Sequence, residues 1–390
     1  MSRMTHTPAD ERELSQLLAG AERAVRIVGG DTRRPGAVPD GETLGTSAMR
    51  GVTHYEPGAL TLVAKAGTPM AEISAVLAQE NQRLAFEPMD HRPLLATAGE
   101  PTIGGVVAAN VSGPRRIQAG ACRDHLLGVR FVDGRGRIIK NGGQVMKNVT
   151  GYDLVKLMAG SFGTLGVLSE VSFKVQAIPQ TEATVLVPGL DIAAGIAVLA
   201  RALGSPYDVS GVAHVPAGQM GAQSLTAIRI EGMKQSVAYR VEKLRSLAGG
   251  DVIEAADSAA FWVRIRDAEP LARQDGAIWR ISLKPSHAPA FVQQLQQLGL
   301  DHEALFDWGG GLIWLAVTDA ADAGNGDAGA RVIRQILAAL GGHATLVRGA
   351  DDLRARIPVF QPQPARIASI SENIRKKFDP RGILNPGLKG

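Results

Sequence analysis

The segment KNVTGYDLVKLMAGSFGTLGVLSEV, residues 147–171, sets Gly160, Gly163 and Gly166 at every third position between a short helical pattern and a strand pattern. Glycine costs chain entropy on ordering. Such a run therefore belongs where the backbone turns with positive φ, or where something approaches closer than a Cβ permits. Leu154, Leu157 and Met158 mark the apolar side of the helix. Thr150 and Asp153 have the spacing of a capping box, and Gly160 falls at the C′ position. From Val167 the period becomes two: Val167, Ser169, Val171, Phe173 and Val175 share one face, and Leu168, Glu170, Ser172 and Lys174 the other. Capping accounts for Gly160. Gly163 and Gly166 lie in the loop Ser161-Phe162-Gly163-Thr164-Leu165-Gly166 and point to the close approach of a ligand.

Two more loops of this kind precede it. The strand pattern RAVRIVG runs into Gly29-Gly30-Asp31-Thr32. Successive N–H groups there form an anion-binding concavity to which Thr32 adds a hydroxyl; an ordinary β-turn is the plain alternative. The segment AGEPTIGGVVAAN, residues 98–110, leads into small apolar residues that suit a flat ring, or equally close helix–strand packing. Neither loop is a G-x-G-x-x-G opening a helix or a G-x-x-x-x-G-K-[ST], so neither mononucleotide fingerprint is present.

The remaining pattern is that of a two-domain α+β protein. A chain of 390 residues exceeds one ordinary core. Its 45% hydrophobic and 21% charged content is that of a globular protein. GALTLVAKAG reads as a strand. TPMAEISAVLAQENQRL reads as a helix with Thr68 as N-cap, Pro69 in the first position and a face of Met70, Ile73, Val76 and Leu77. HLLGVRFVDGRGRIIKNGG is a hairpin through Asp133-Gly134, with Gly136 close behind. After the break at Pro179, residues 180–345 alternate strand and helix patterns. They predict helices on one side of a mainly antiparallel sheet, with residues 319–330 as a surface loop. A helix, PARIASISENIRKKF, and the tail DPRGILNPGLKG complete the chain.

Composition narrows the chemistry. The single Cys, Cys122, excludes an internal disulfide and a cysteine-built iron–sulfur site. No run of ~18 apolar residues occurs, and the polar N-terminus lacks a signal-peptide core, which predicts a cytoplasmic protein. The net charge is +4. The basic clusters Arg33-Arg34, Arg115-Arg116 and Arg375-Lys376-Lys377 are not interleaved with aromatics, which make up 4% of the chain, so nucleic-acid binding is not expected. Each cluster is a solvated face or the counterpart of a phosphate or an acidic protein.

Taken together, GGDT, PTIGG with the following AAN, GPRR, RDHLLG, MKNVTGYDL, GSFGTLGVLSE and FDPRGILNPG resemble the flavin-binding domain of the vanillyl-alcohol oxidase (PCMH) type. The nearest resemblance is to the FAD-binding subunits of glycolate oxidase. It covers residues 1–178 and the tail; over 180–345 it is one of architecture. The resemblance implies an FAD-binding domain of two α+β subdomains over residues 1–178. An α+β cap with a mainly antiparallel sheet would follow over 179–345, and a C-terminal helix and tail over 346–390 would return to the flavin domain.

The resemblance also implies which residues meet FAD. Gly29, Gly30, Asp31 and Thr32 match the pyrophosphate loop, and Pro88, Gly99, Thr102, Ile103, Gly104 and Gly105 a second FAD-lining segment. Asp124 falls in the D-x-V-L-G match. Gly160, Ser161, Gly163, Thr164, Gly166 and Val167 match the loop along the adenine and ribitol, and Asn385 the tail that folds back. Covalent members often carry His where this chain has Asp31, so non-covalent FAD is implied.

The implied activity is oxidation of a small 2-hydroxy acid such as glycolate, in a complex with a second FAD-binding subunit and an iron–sulfur subunit. Those partners would allow peripheral association at the inner face of the membrane. A stand-alone FAD oxidase of another small alcohol or hydroxy acid, and a flavin-free scaffold subunit, are the alternatives. Larger relatives carry an H-x-G-D-G-N metal motif. Gly324-Asn325-Gly326-Asp327 has no adjacent His, so no metal site is expected. His214, His287, His302 and His343 are scattered and read as surface or core residues. Trp262, Trp279, Trp308 and Trp314 read as core or subunit contacts. His91, beside Asp90 and just after Pro88, is the one candidate for handling a substrate or a proton. No other base or carboxylate anchor can be nominated.

Overall fold

The computed structural model describes residues 4–33, 36, 41–143, 151–318 and 326–388. Arg34, Lys147, Thr150, Gly324 and Asn325, which figure in the motifs, lie outside the described residues. The first unit is built on two main sheets, with a two-stranded ribbon of Gln82–Arg83 and Gln176–Ala177 beside them. A small parallel sheet runs in the order Thr5–His6, Glu42–Gly45, Val25–Val28. A five-stranded antiparallel sheet runs Val52–Glu56, Thr61–Lys65, Val167–Lys174, Leu126–Val132, Ile138–Gly142. Its central strand Val167–Lys174 is covered on both faces, so even Leu168 and Ser172 of the expected outer face are buried.

The helix patterns hold, with local differences. The helix Met70–Gln79 buries Ile73 and Leu77. Thr68 does not cap it: its hydroxyl donates to the Lys65 carbonyl at 2.6 Å and accepts the Gly51 N–H at 2.9 Å. Pro69 takes the N-cap position without a side-chain bond. In the helix Leu154–Met158 the N-cap is Asp153 itself, accepting the Lys156 N–H at 3.1 Å, and Val155 joins Met158 in the buried face.

The second unit is one eight-stranded antiparallel sheet. Its order is Asp251–Glu254, Thr181–Pro188, Leu225–Gly232, Val209–Val215, His302–Asp307, Leu312–Val317, Ala277–Ser282, His343–Arg348. The last strand crosses the expected boundary at residue 345, because it completes the sheet by pairing with Ala277–Ser282. Alternation sorts the side chains. Val212, Ile228, Ile313 and Leu315 pack with helices Ile192–Leu203, Lys234–Ala248, Ala288–Gln297 and Ala330–Leu340. Ala213, Ala227, Trp314 and Ala316 point the other way, into the core of the first unit with Phe86 and Phe173. The helix Ala255–Arg266, absent from the sequence expectation, adds Phe261 and Trp262 to that shared core. The sheet thus has helices on one face and the first unit on the other.

The C-terminal tail returns to the beginning of the chain. The Val25 N–H donates to the Ile383 carbonyl at 2.7 Å, and the Asn385 N–H to Val25 at 3.0 Å. Arg381 adds donors to the carbonyls of Ala21 at 2.8 Å and Gly134 at 2.6 Å.

Candidate cofactor cleft

The three glycine-bearing loops meet in space, and they meet through their main chains. A Cβ built on Gly30 would lie 1.4 Å from the Glu100 carbonyl oxygen, and one on Gly99 1.7 Å from that of Gly30. Gly104 backs onto Ala66, whose carbonyl oxygen would be 2.7 Å from its Cβ, and Gly166 onto the Phe131 ring at 2.6 Å. Gly163 has φ +74°, and its Cβ would meet Asn385 Nδ2 at 2.9 Å and Ile27 Cδ1 at 3.1 Å. Protein contacts alone thus require bare backbone at Gly163 and Gly166, where the loops touch one another and the strands behind them, and both glycines also line the cleft.

Hydrogen bonds complete the joints. Thr102 caps the helix Ile103–Ala108, its Oγ1 accepting the Gly105 N–H at 3.3 Å. The Thr97 hydroxyl donates to the Thr32 carbonyl at 3.1 Å. The Phe162 N–H donates to Ala108 at 2.7 Å, and the Gly160 N–H to Val107 at 3.0 Å. Asn385 clamps two loops at once, accepting the Ile27 N–H at 2.9 Å and donating to the Phe162 carbonyl at 2.8 Å.

What these joints enclose is a cleft of about 1250 Å³, counted out to its mouth. Gly29, Gly30, Asp31 and Thr32 line one side, and Thr102, Gly104 and Gly105 another. Ser161, Gly163, Gly166, Val167 and Asn385 line the third, and His91 also reaches the cleft. Six expected contacts fall outside its lining. Pro88 faces a separate hollow between the two units, beside Arg83 and Arg229. Gly99 lies behind the first loop against Gly30. Ile103 is a fully buried core residue. Asp124 closes its own turn by accepting the Ala121 N–H at 2.8 Å. Gly160 ends its helix, and the buried Thr164 donates to the Ser161 carbonyl at 2.7 Å.

The cleft is electrically incomplete. Arg33 lines it and donates to the Gly105 carbonyl, with no carboxylate partner among the described residues; burial lowers its pKa to about 10. Arg26 is matched by Asp31 at 2.6 Å, but nothing comparable matches Arg33. His91 is pushed well below the ordinary imidazole value, by burial first and the Arg33 charge second, so it is neutral at pH 7. The Ser161 hydroxyl is buried in the wall without a partner among the described residues. An unmatched cation, an unused hydroxyl and a mixed apolar wall fit an elongated ligand with phosphates and an aromatic ring, as FAD is. Sequence reasoning placed Arg33 in a basic cluster, as a solvated residue or the counterpart of a phosphate or an acidic protein, but not among the cofactor contacts. Its position directly after GGDT was the available signal.

The other histidines and tryptophans are accounted for by packing. His214 is buried, its Nδ1 2.9 Å from Thr226 Oγ1, while His287 and His302 meet backbone carbonyls at 2.7 Å. Trp262, Trp279 and Trp314 are core residues; Trp308 is half-buried where the two units meet.

Comparisons with known proteins agree with this geometry. Residues 3–142 match the FAD binding domain family. The chain is 35% identical over 348 residues to glycolate oxidase subunit GlcE of Escherichia coli (strain K12), covering 89% of this chain and 87% of that protein. Over 85 residues it is 42% identical to glycolate oxidase subunit GlcD of Bacillus subtilis (strain 168), 22% of this chain and 18% of that one. The solved structure of an alkyldihydroxyacetonephosphate synthase superposes with a TM-score of 0.68 at 18% identity, covering 98% of this chain and 76% of that chain, a likeness of fold. The chain belongs to the FAD-dependent oxidoreductases, in the family of glycolate oxidase subunit GlcE.

Proposed function

We propose that this chain is the FAD-binding subunit of a multi-subunit glycolate (2-hydroxy acid) oxidase or dehydrogenase, working with a second FAD-binding subunit and an iron–sulfur subunit. The observation that carries the proposal is the cleft walled by the three glycine loops and Asn385, in a chain of this family. Arg33, the N–H groups of Gly29 to Thr32 and the Ser161 hydroxyl would hold FAD, and the small residues at Ala108 and Ala109 would leave room for its ring. Bound FAD supplies hydride acceptance: a 2-hydroxy acid loses a hydride and a proton to become a 2-oxo acid, and the electron pair passes on to the partner. FAD is held without a covalent bond in this proposal, since Asp31, paired with Arg26, stands where covalent members often carry the attaching His.

We divide the chain functionally into an FAD unit over residues 1–178, a cap over 179–345 and a returning tail over 346–390; the separate sheets and the tail's bonds to Val25 support the division, although the strand His343–Arg348 carries the cap's sheet past residue 345. No helix among the described residues is long and apolar enough to cross a membrane. In the proposed assembly the chain is cytoplasmic, and any membrane attachment comes through its partners.

Affinity purification of the tagged chain from its own cells tests the assignment. The expected result is co-purification of a second flavoprotein and an iron–sulfur protein, with 2-hydroxy acid oxidation only by the assembled complex. A chain that purifies alone and oxidises 2-hydroxy acids by itself would overturn it in favour of a stand-alone enzyme.

A further inference from the structure

Arginines at the junction of the two units fall into two groups. Arg83, Arg115 and Arg229 are neutralised by Glu87 and Glu231 at 2.7–3.1 Å. Arg116 and Arg280 have no carboxylate and no hydrogen-bond acceptor among the described residues. Both lie against one side chain, Trp308: the guanidinium carbon of Arg116 is 4.6 Å from the indole centroid and that of Arg280 5.2 Å. Two cations held on one ring repel each other and lose hydration; the carboxyls of Asp124 and Asp307 offset this only from beyond ion-pair distance, so a bound anion would relieve it further.

The indole is placed there deliberately. Trp308 has φ +53°, a left-handed conformation that is rare for a bulky side chain. Two bonds enforce it. Asp307, buried at the end of strand His302–Asp307, accepts the Trp308 N–H at 2.7 Å. The indole Nε1–H donates at 3.0 Å to the Gly113 carbonyl of the first unit. Arg116 comes from that unit, in the turn Arg116–Ala119, and Arg280 from the strand Ala277–Ser282 of the second.

We propose that Arg116 and Arg280, braced on Trp308, form a binding site for a small carboxylate in this chain itself. With the guanidinium carbons over the ring, the in-plane N–H groups remain to donate, and guanidinium forks match carboxylate geometry. The site closes only when both units are in place, since each supplies one arginine. The choice of carboxylate over other small anions rests on the 2-hydroxy acid function proposed for the family; the two arginines and the indole do not.

The test is titration of the purified full-length chain with oxalate, a carboxylate that is not a substrate for hydride removal, followed by calorimetry and by tryptophan fluorescence. FAD content is measured on the same samples. The expected result is saturable binding that weakens roughly tenfold or more in Arg280→Gln and in Arg116→Gln, the loss of one charge-assisted pair. Arg280→Lys should recover part of it, and unchanged FAD content should show the cleft intact. Absence of oxalate binding in the native chain, unchanged affinity in both glutamine variants, or equal affinity for inorganic phosphate would overturn the proposal. If Arg280→Gln fails to fold, Arg116→Gln, in a short half-buried turn, decides alone. A chain that binds oxalate through these arginines but carries no FAD would refute the flavin assignment and leave this one standing.

Discussion

Asn385 and Phe162, 223 positions apart in the chain, are joined by one hydrogen bond from the Asn385 side-chain amide to the Phe162 carbonyl, 2.8 Å long. The same side chain accepts the Ile27 N–H. The last few residues of the chain thereby fix the gap between the first and third glycine loops. Asn385→Ala leaves one backbone donor and one acceptor unpaired. It should destabilise the first unit by about 1–3 kcal/mol and weaken FAD retention. Thermal unfolding and flavin release during gel filtration measure both.

The glycines divide by what lies beside them. Gly163→Ala forces a side chain into a left-handed residue facing Asn385 and Ile27, and should cost about 1–2 kcal/mol in conformation alone, before the clash. Gly105 lies in the helix Ile103–Ala108, and its Cβ would meet only Thr102 Oγ1 at 3.3 Å and Arg33 Nη2 at 3.7 Å. Gly105→Ala should therefore fold normally and alter only the cleft. Paired denaturation curves and FAD affinities separate the two: equal stability losses would contradict the distinction.

The junction network predicts acid sensitivity. Burial alone would raise the carboxyls of Glu87 and Glu231, but the charges of Arg229 and Arg115 overcome it and hold both below their ordinary range. Groups depressed in the folded state contribute stability above their unfolded pKa and lose it as pH falls through the folded value. The thermal midpoint should hold from pH 7 to about 5 and fall below about pH 4. Arg229→Met, which strands both carboxylates in part, should cost about 3–5 kcal/mol at pH 7 and flatten that acid limb.

Asp307 runs in the opposite direction. Burial pushes its carboxyl up to about 8. A raised folded pKa gives stability that is fully present below the unfolded value and is lost as pH rises through 8. Asp307→Asn keeps an acceptor for the Trp308 N–H and removes the ionisation. Its melting temperature should exceed that of the native chain at pH 9, with the gap narrowing as pH falls and closing only below about pH 4; parallel curves would refute this.

Much of the cleft was legible because loop chemistry is local. Gly29 to Thr32, Thr102 to Gly105 and the 160–167 segment announce themselves by glycine spacing next to strands and helix starts. The reason for the glycines was not legible. That Gly30 faces Glu100, or Gly163 faces Asn385, depends on contacts between distant segments that no local pattern records. The half of the eight-stranded sheet formed by Val209–Val215, His302–Asp307, Asp251–Glu254 and His343–Arg348 escaped for a related reason. Val209–Val215 and most of His302–Asp307 are buried on both faces, and Asp251–Glu254 is a short edge strand, so they lack clean alternation. Arg116, Arg280 and Trp308 lie far apart in sequence, in a turn, a strand and a strand end. Only folding brings them together.

The most direct measurement is the flavin content of the purified chain, read from the absorbance of the native protein and of the supernatant after denaturation. The cleft predicts stoichiometric FAD that leaves entirely with the supernatant and is lost in Asn385→Ala. A colourless protein that takes up no added FAD would contradict the account, and flavin remaining on the denatured polypeptide would contradict its non-covalent attachment.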